Sequence, residues 1–258
     1  MRTIKIYQPL AARPSRVFQA LTEPRELSAW QADKVEGQVR PGSNLTFGWP
    51  MLGISLSLEV VRVDTGRAVA FAHGSARLEF EMVRGGVELR HTAPFDDDTL
   101  AGTASSWRIA LATLKNYLAR HAGRQRRVYW AVARARGSVE LCHAYFTEPE
   151  LLTSWLGSSP ASLGEVDSNV TLTLASGRRV SGPMLAHTPG RDLAVRWREA
   201  DDSVLVFRTL PVDTDPGARY LLLGWSRWSD LPEVESIQTE LRRAVTQLAG
   251  RLDRAGSA

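Results

Sequence analysis

Thr22-Glu23-Pro24-Arg25-Glu26-Leu27-Ser28-Ala29-Trp30 returns as Thr147-Glu148-Pro149-Glu150-Leu151-Leu152-Thr153-Ser154-Trp155. Thr, Glu, Pro, Leu and Trp each come back 125 positions later. The same offset carries Ser43-Asn44-Leu45-Thr46 onto Ser168-Asn169-Val170-Thr171. Two ungapped matches at one spacing mean one fold present twice. The period is too long for a solenoid, whose repeats need neighbours to bury a core. The 258 residues therefore divide into two domains of ordinary size, each able to bury a core unaided. The expected boundaries are residues 1–122, a linker at 123–127, and residues 128–258.

Composition narrows the class. The chain is 43% hydrophobic and 23% charged, as soluble globular proteins are. No apolar run spans a bilayer, so no membrane partner is expected. The N-terminus lacks a signal-peptide core. The single cysteine, Cys142, excludes an intramolecular disulfide and fits a reducing, cytoplasmic setting. Net charge is +4, and the densest basic cluster, Arg124-Gln125-Arg126-Arg127, reads as a solvated linker rather than a nucleic-acid site.

Around the signature the elements follow in order. Ile4, Ile6 and Gln8 alternate as a strand. Pro14 and Ser15 open a short helix. Thr22 then reads as the cap of a second helix with Pro24 in its first turn. Leu27 and Trp30 share a face, so Trp30 points inward. Runs of period two follow. They place Leu45, Phe47 and Trp49 on one inward face, Leu78, Phe80 and Met82 on another, and Val87, Leu89 and His91 on a third. Asp96 to Thr99 start a last helix whose stripe is Trp107, Leu111, Leu114 and Leu118. In the second half Val170, Leu172 and Leu174 alternate, as do Leu193, Val195 and Trp197. Ile237, Leu241, Ala244 and Leu248 repeat the helix stripe at an offset of 130. The strand Tyr220 to Trp225 is apolar on both faces, which predicts that the two domains pack on each other.

Strand, two short helices, a six-stranded meander and a long helix, with Thr-Glu-Pro-x-x-Leu-x-x-Trp at the second helix, resemble the START and Bet v 1-like helix-grip superfamily. Within it the chain is most similar to the family of the activator of Hsp90 ATPase. The resemblance also reaches START-like proteins of enediyne antibiotic clusters, some of which confer self-resistance. It implies an α+β fold: in each half, a curved antiparallel seven-stranded sheet with two short helices grips a long C-terminal helix over a cavity. It further implies hydrophobic ligands such as sterols and polyketides, with some members acting as cyclases, hydrolases or co-chaperones.

The residues carry no catalytic signature: no Gly-x-Ser-x-Gly, no His-Glu-x-x-His and no phosphate loop. His73, His91, His121, His143 and His187 have no ligand spacing, so neither metal nor cofactor is expected. Cys142 reads as a buried, inert thiol. The expected function is non-enzymatic binding of a hydrophobic, aromatic or polyketide-like small molecule. Its expected lining is Phe47, Trp49, Phe80, Met82, His91, Trp107 and Leu111 in the first half. Trp155, Leu172, Trp197, Tyr220 and Leu241 line the second. The alternatives are a cyclase or hydrolase with His91 as proton carrier, and an Hsp90-activator-like interaction module. A further option is that one half has lost its cavity, the second half being the more densely apolar.

Overall fold

The computed structural model describes residues 1–158, 163, 165–212 and 214–255, in two compact units, Met1–Arg127 and Val128–Ala258. The first unit opens with β1 (Arg2–Pro9), α1 (Pro14–Thr22) and α2 (Pro24–Ser28). Six strands follow: β2 (Lys34–Gly37), β3 (Asn44–Trp49), β4 (Ile54–Asp64), β5 (Ala68–His73), β6 (Ala76–Val83) and β7 (Gly86–Ala93). The helix α3 (Asp97–Asn116) closes the unit and runs on into a π-helical turn, Tyr117–His121. The second unit repeats this with β8 (Arg127–Arg136), α4 (Val139–Thr147), α5 (Pro149–Thr153) and β9 (Gly157–Ser158). Then come β10 (Asn169–Leu174), β11 (Arg179–Thr188), β12 (Asp192–Trp197), β13 (Ser203–Val212), β14 (Asp215–Arg227) and α6 (Val234–Ala255).

Each sheet is antiparallel and seven-stranded, with matching orders β1-β7-β6-β5-β4-β3-β2 and β8-β14-β13-β12-β11-β10-β9. The fold is therefore α+β, present twice. Alternation along each strand sends one face to the long helix and the other outward. β2 and β9 are short and offer little alternation to read. The residues Asp213-Thr214-Asp215-Pro216-Gly217 read as a turn by their Asp, Pro and Gly content, but Asp213 lies outside the described residues, and β14 is already paired with β13 at Asp215.

The signature is built differently from its reading as a capped helix. Thr22 ends α1 and its hydroxyl donates to the Phe18 carbonyl at 2.8 Å. Thr147 does the same to His143 at 3.0 Å. The N-cap positions of α2 and α5 are Glu23 and Glu148, both extended and neither making a side-chain cap bond. The cause is proline. Pro24 and Pro149 push the residue before them out of the helical region, which breaks one helix into two. The tryptophans then tie the pieces together. Trp30 Nε1 donates to the Ala20 carbonyl at 2.9 Å, and Trp155 Nε1 to the Tyr145 carbonyl at 2.8 Å. Both indoles are buried.

The long helices differ. In α6 the stripe Ile237, Leu241, Ala244, Leu248 and Leu252 stays buried throughout. In the first unit Trp107, Leu111 and Leu114 are buried, but the π turn rotates the helix surface. Tyr117 becomes buried and Leu118 only half-buried.

Replacing Trp30 or Trp155 by Phe keeps the ring but strands a buried carbonyl. Each variant should lose about 1–3 kcal/mol, read as a lower melting temperature of the unit concerned by calorimetry.

Candidate functional site

The first unit's inward residues form a continuous aromatic chain. Phe47 meets Phe71 edge-on at 6.4 Å, Phe71 meets Phe80 at 6.5 Å, and Phe80 meets both Trp30 and Trp107, at 6.2 and 5.7 Å. Such edge-to-face pairs are the preferred packing of aromatic quadrupoles. Leu111 is fully buried, whereas Trp49 and Met82 are half-buried. His91 sits at the end of the chain. Trp107 Nε1 donates to His91 Nδ1 at 2.9 Å, and Phe95 meets the imidazole edge-on. Indole nitrogen can only donate, so His91 Nδ1 carries no proton and Nε2 does. Burial holds the imidazole below its ordinary pKa of 6.5. With one nitrogen accepting and the other protonated, the ring has no free lone pair with which to act as a base.

In the second unit Trp155, Leu172, Trp197 and Leu241 belong to one packed core. Trp197 donates to the Arg179 carbonyl and lies 5.9 Å from Trp225, whose own N–H donates to Ser203. Tyr220 corrects an expectation: it is 41% exposed. Leu221, Leu223 and Trp225 take the inward face of β14, so the alternate residue Tyr220 points outward. A strand apolar on both faces gives no parity signal. On that outward face Gly224 leaves room for the Trp130 ring, which lies 2.4 Å from where a Cβ would stand.

Cys142 is buried, and its surroundings push the thiol pKa up, chiefly by desolvation. Its neighbour His143 meets His187, on β11, across 3.0 Å between the Nε2 atoms. The ring planes differ by 8° and the centroids lie 5.2 Å apart. That separation equals the nitrogen distance plus a ring radius on each side, so the rings meet end to end and share one proton. Sequence spacing held no sign of this pair, because a helix and a distant strand supply its members. Among the described residues no group of three or more potential ligands could hold a metal.

An open cleft flanks the second unit's core rather than hollowing it. It has a volume of about 430 Å³ and lies between α6 and the β10–β11 turn. Trp155, Leu156, Ala175 and Ala244 give it an apolar floor. Ser176, Glu235, Thr239, Glu240, Arg243 and Gln247 give it a polar rim. Glu240 is already committed: it accepts from Ser176 and pairs with Arg178 at 2.7 Å. Of the sequence-derived site residues, Trp155 alone lines this cleft; the others pack in the two interiors or, like Tyr220, face outward.

The first unit shows what closes such a cleft. At the helix offset of 130, Gln247 corresponds to Tyr117. Tyr117 is 1% exposed. Its hydroxyl donates to Glu26 at 2.8 Å and accepts from Arg16 and the Gly123 amide. Beside it Arg126 corrects the reading of a solvated linker. Its side chain is 7% exposed, lies 3.6 Å from Asp33 and donates to the Trp30 carbonyl at 2.9 Å. Desolvation pushes its pKa down to about 10, against the pull of Asp33. Arg124 and Arg127 remain exposed.

Residues 11–119 match the family model described as "Activator of Hsp90 ATPase homolog 1-like protein". The matched stretch, 109 of the 258 residues, lies within the first unit. A search of curated proteins found no match. Among solved structures, the chain is similar to DynU16, a protein of the dynemicin biosynthetic locus, at 18% identity and TM-score 0.40, over 99% of each chain. It is similar to the di-domain ARO/CYC StfQ of the steffimycin pathway, at 10% identity and TM-score 0.42, over the whole of both chains. The Aha1 dimer from Colwellia psychrerythraea matches at 21% identity and TM-score 0.41, over 46% of this chain and 96% of its own. No helix among the described residues is long and apolar enough to cross a membrane.

The histidines make the chain acid-sensitive. In the first unit burial lowers the His91 pKa. In the second unit burial and the charge of His187 lower that of His143, against Asp192. The unfolded chain therefore binds more protons just below pH 6.5, and stability rises with pH there. The contribution is complete above pH 6.5 and lost as pH falls toward the folded values. Imidazole Hε1 titration by NMR should place both residues below 6.5, and melting temperature should fall from pH 7 to pH 5.

Proposed function

We propose that the chain binds a hydrophobic small molecule with an aromatic ring system, without catalysing its conversion, in the cleft beside Trp155. The carrying observation is the exchange of Tyr117 for Gln247. One unit fills the position with its own phenol ring, and the other leaves it open over an apolar floor. A cleft of about 430 Å³ falls in the range of small-molecule sites, which pair apolar walls with a few oriented polar groups. A polyketide-like ligand suits this description. So does a role in natural-product biosynthesis or self-resistance, which is how the steffimycin and dynemicin neighbours enter the proposal. His91 gives little support to a cyclase or hydrolase, because its lone pair is occupied by Trp107.

The test is a fluorescence titration of the full chain with the neutral dye N-phenyl-1-naphthylamine. Binding is expected, and Gln247→Tyr should weaken it at least tenfold by supplying the ring that the first unit carries. Gln247 is exposed, so the substitution should leave the melting temperature unchanged. Absence of binding to the unmodified chain would remove the proposal. The match of residues 11–119 favours one second reading, contact with an Hsp90-type chaperone through the first unit. Co-purification with purified Hsp90 that is independent of Gln247 would support it.

A further inference from the structure

We infer that the ligand of this cleft is an anionic aromatic compound whose acid group is held by Arg251 and Arg254; the inference rests on the function proposed above. A second cleft, of about 400 Å³, adjoins the first and shares Gln247 with it. Its other lining residues are Ser154, Thr246, Gly250, Arg251 and Arg254. The two hydroxyls are already spent as donors, Ser154 to the Leu151 carbonyl and Thr246 to the Arg242 carbonyl. The groups left to meet a ligand are the guanidinium forks and the Gln247 amide.

Among the described residues those forks have no anionic partner. Among the described residues no hydrogen bond or ion pair engages Arg243, Arg251 or Arg254. Elsewhere in this unit arginines are spoken for. Arg134 and Arg136 share Asp215, Arg178 joins Glu233 and Glu240, and Arg208 faces Asp192. A bland explanation is the helix dipole, since cations near a helix C-terminus are favourable within the last turn. It accounts for Arg254. It does not account for Arg243, three turns earlier, nor for the placing of all three on one flank of α6 with Gln247 between them.

The charge along the groove is polarised. Glu235, unpaired among the described residues, stands at the start of α6 in the first cleft. Arg251 lies roughly 24 Å further along the helix axis. An acidic ligand is repelled at one end and attracted at the other, so its rings rest over Trp155 and Ala244 with the acid toward Arg251. Ala244 to Arg251 is roughly 10 Å along the axis, a reach that a fused ring system fills. Planar guanidinium matches carboxylate or sulfonate with paired hydrogen bonds.

Two dyes sharing one ring system test this on the full chain. 8-Anilinonaphthalene-1-sulfonate carries the acid, and N-phenyl-1-naphthylamine lacks it. The sulfonate should bind roughly ten- to a hundredfold more tightly, the worth of charged hydrogen bonds. That preference should shrink as salt rises, because exposed charges are screened. It should vanish in the double variant Arg251→Gln/Arg254→Gln, whose positions are exposed and tolerate the change. Equal affinities would overturn the inference and leave the proposed function standing. So would a preference that survives the double variant, or sulfonate binding that survives Gln247→Tyr. Failure of both dyes to bind would overturn the two together.

Discussion

A single hydrogen bond, made once in each unit, holds the grip together. Proline breaks the opening helix in two, and the second piece would be a free five-residue turn without an anchor. The tryptophan at its end reaches back ten residues and gives its N–H to a carbonyl of the first piece. An indole suits the task because it combines a large buried ring with one donor. The ring faces the core while the donor satisfies a backbone group at the seam between the helices. The same seam places Trp155 at the floor of the cleft.

Much of the architecture was legible because it is periodic. Alternation found β1, β3, β6 and β7 of the first sheet, and the spacing of Trp107, Leu111 and Leu114 found the helix above it. What stayed hidden has physical reasons. Thr22 looked like a cap, but the constraint of Pro24 on Glu23 overrides cap propensity. Tyr220 sits in a strand apolar on both sides, where period two carries no information. Arg126 lies in a basic string that reads as wet, yet a carbonyl and a carboxylate from other elements draw it inside. His143 and His187 are 44 residues apart in sequence, and only the packing of α4 against β11 joins them. The cleft was the least legible feature of all. It depends on Gln247, a residue that no motif singles out, and its meaning emerges only beside Tyr117.

The two units therefore share a frame and differ at its rim. In the first unit Tyr117 opens a π-helical turn and fills the gap between helices, where Arg16 and Glu26 hold its hydroxyl. In the second unit the helix runs straight, the stripe stays on the core, and the flank beside it stays open. Duplication makes this comparison possible within a single polypeptide, since each half serves as the control for the other.

The buried guanidinium of Arg126 also decides where the chain can be cut. A recombinant fragment stopped at Ala122, just past the last helix, would carry every strand and helix of the first unit. It would still lack the cation that sits on the Trp30 carbonyl and beside Asp33. The carboxylate would lose that cation and the tryptophan segment its cover. The first unit is complete as a folding piece only when expression continues through Arg126, at the very threshold of β8.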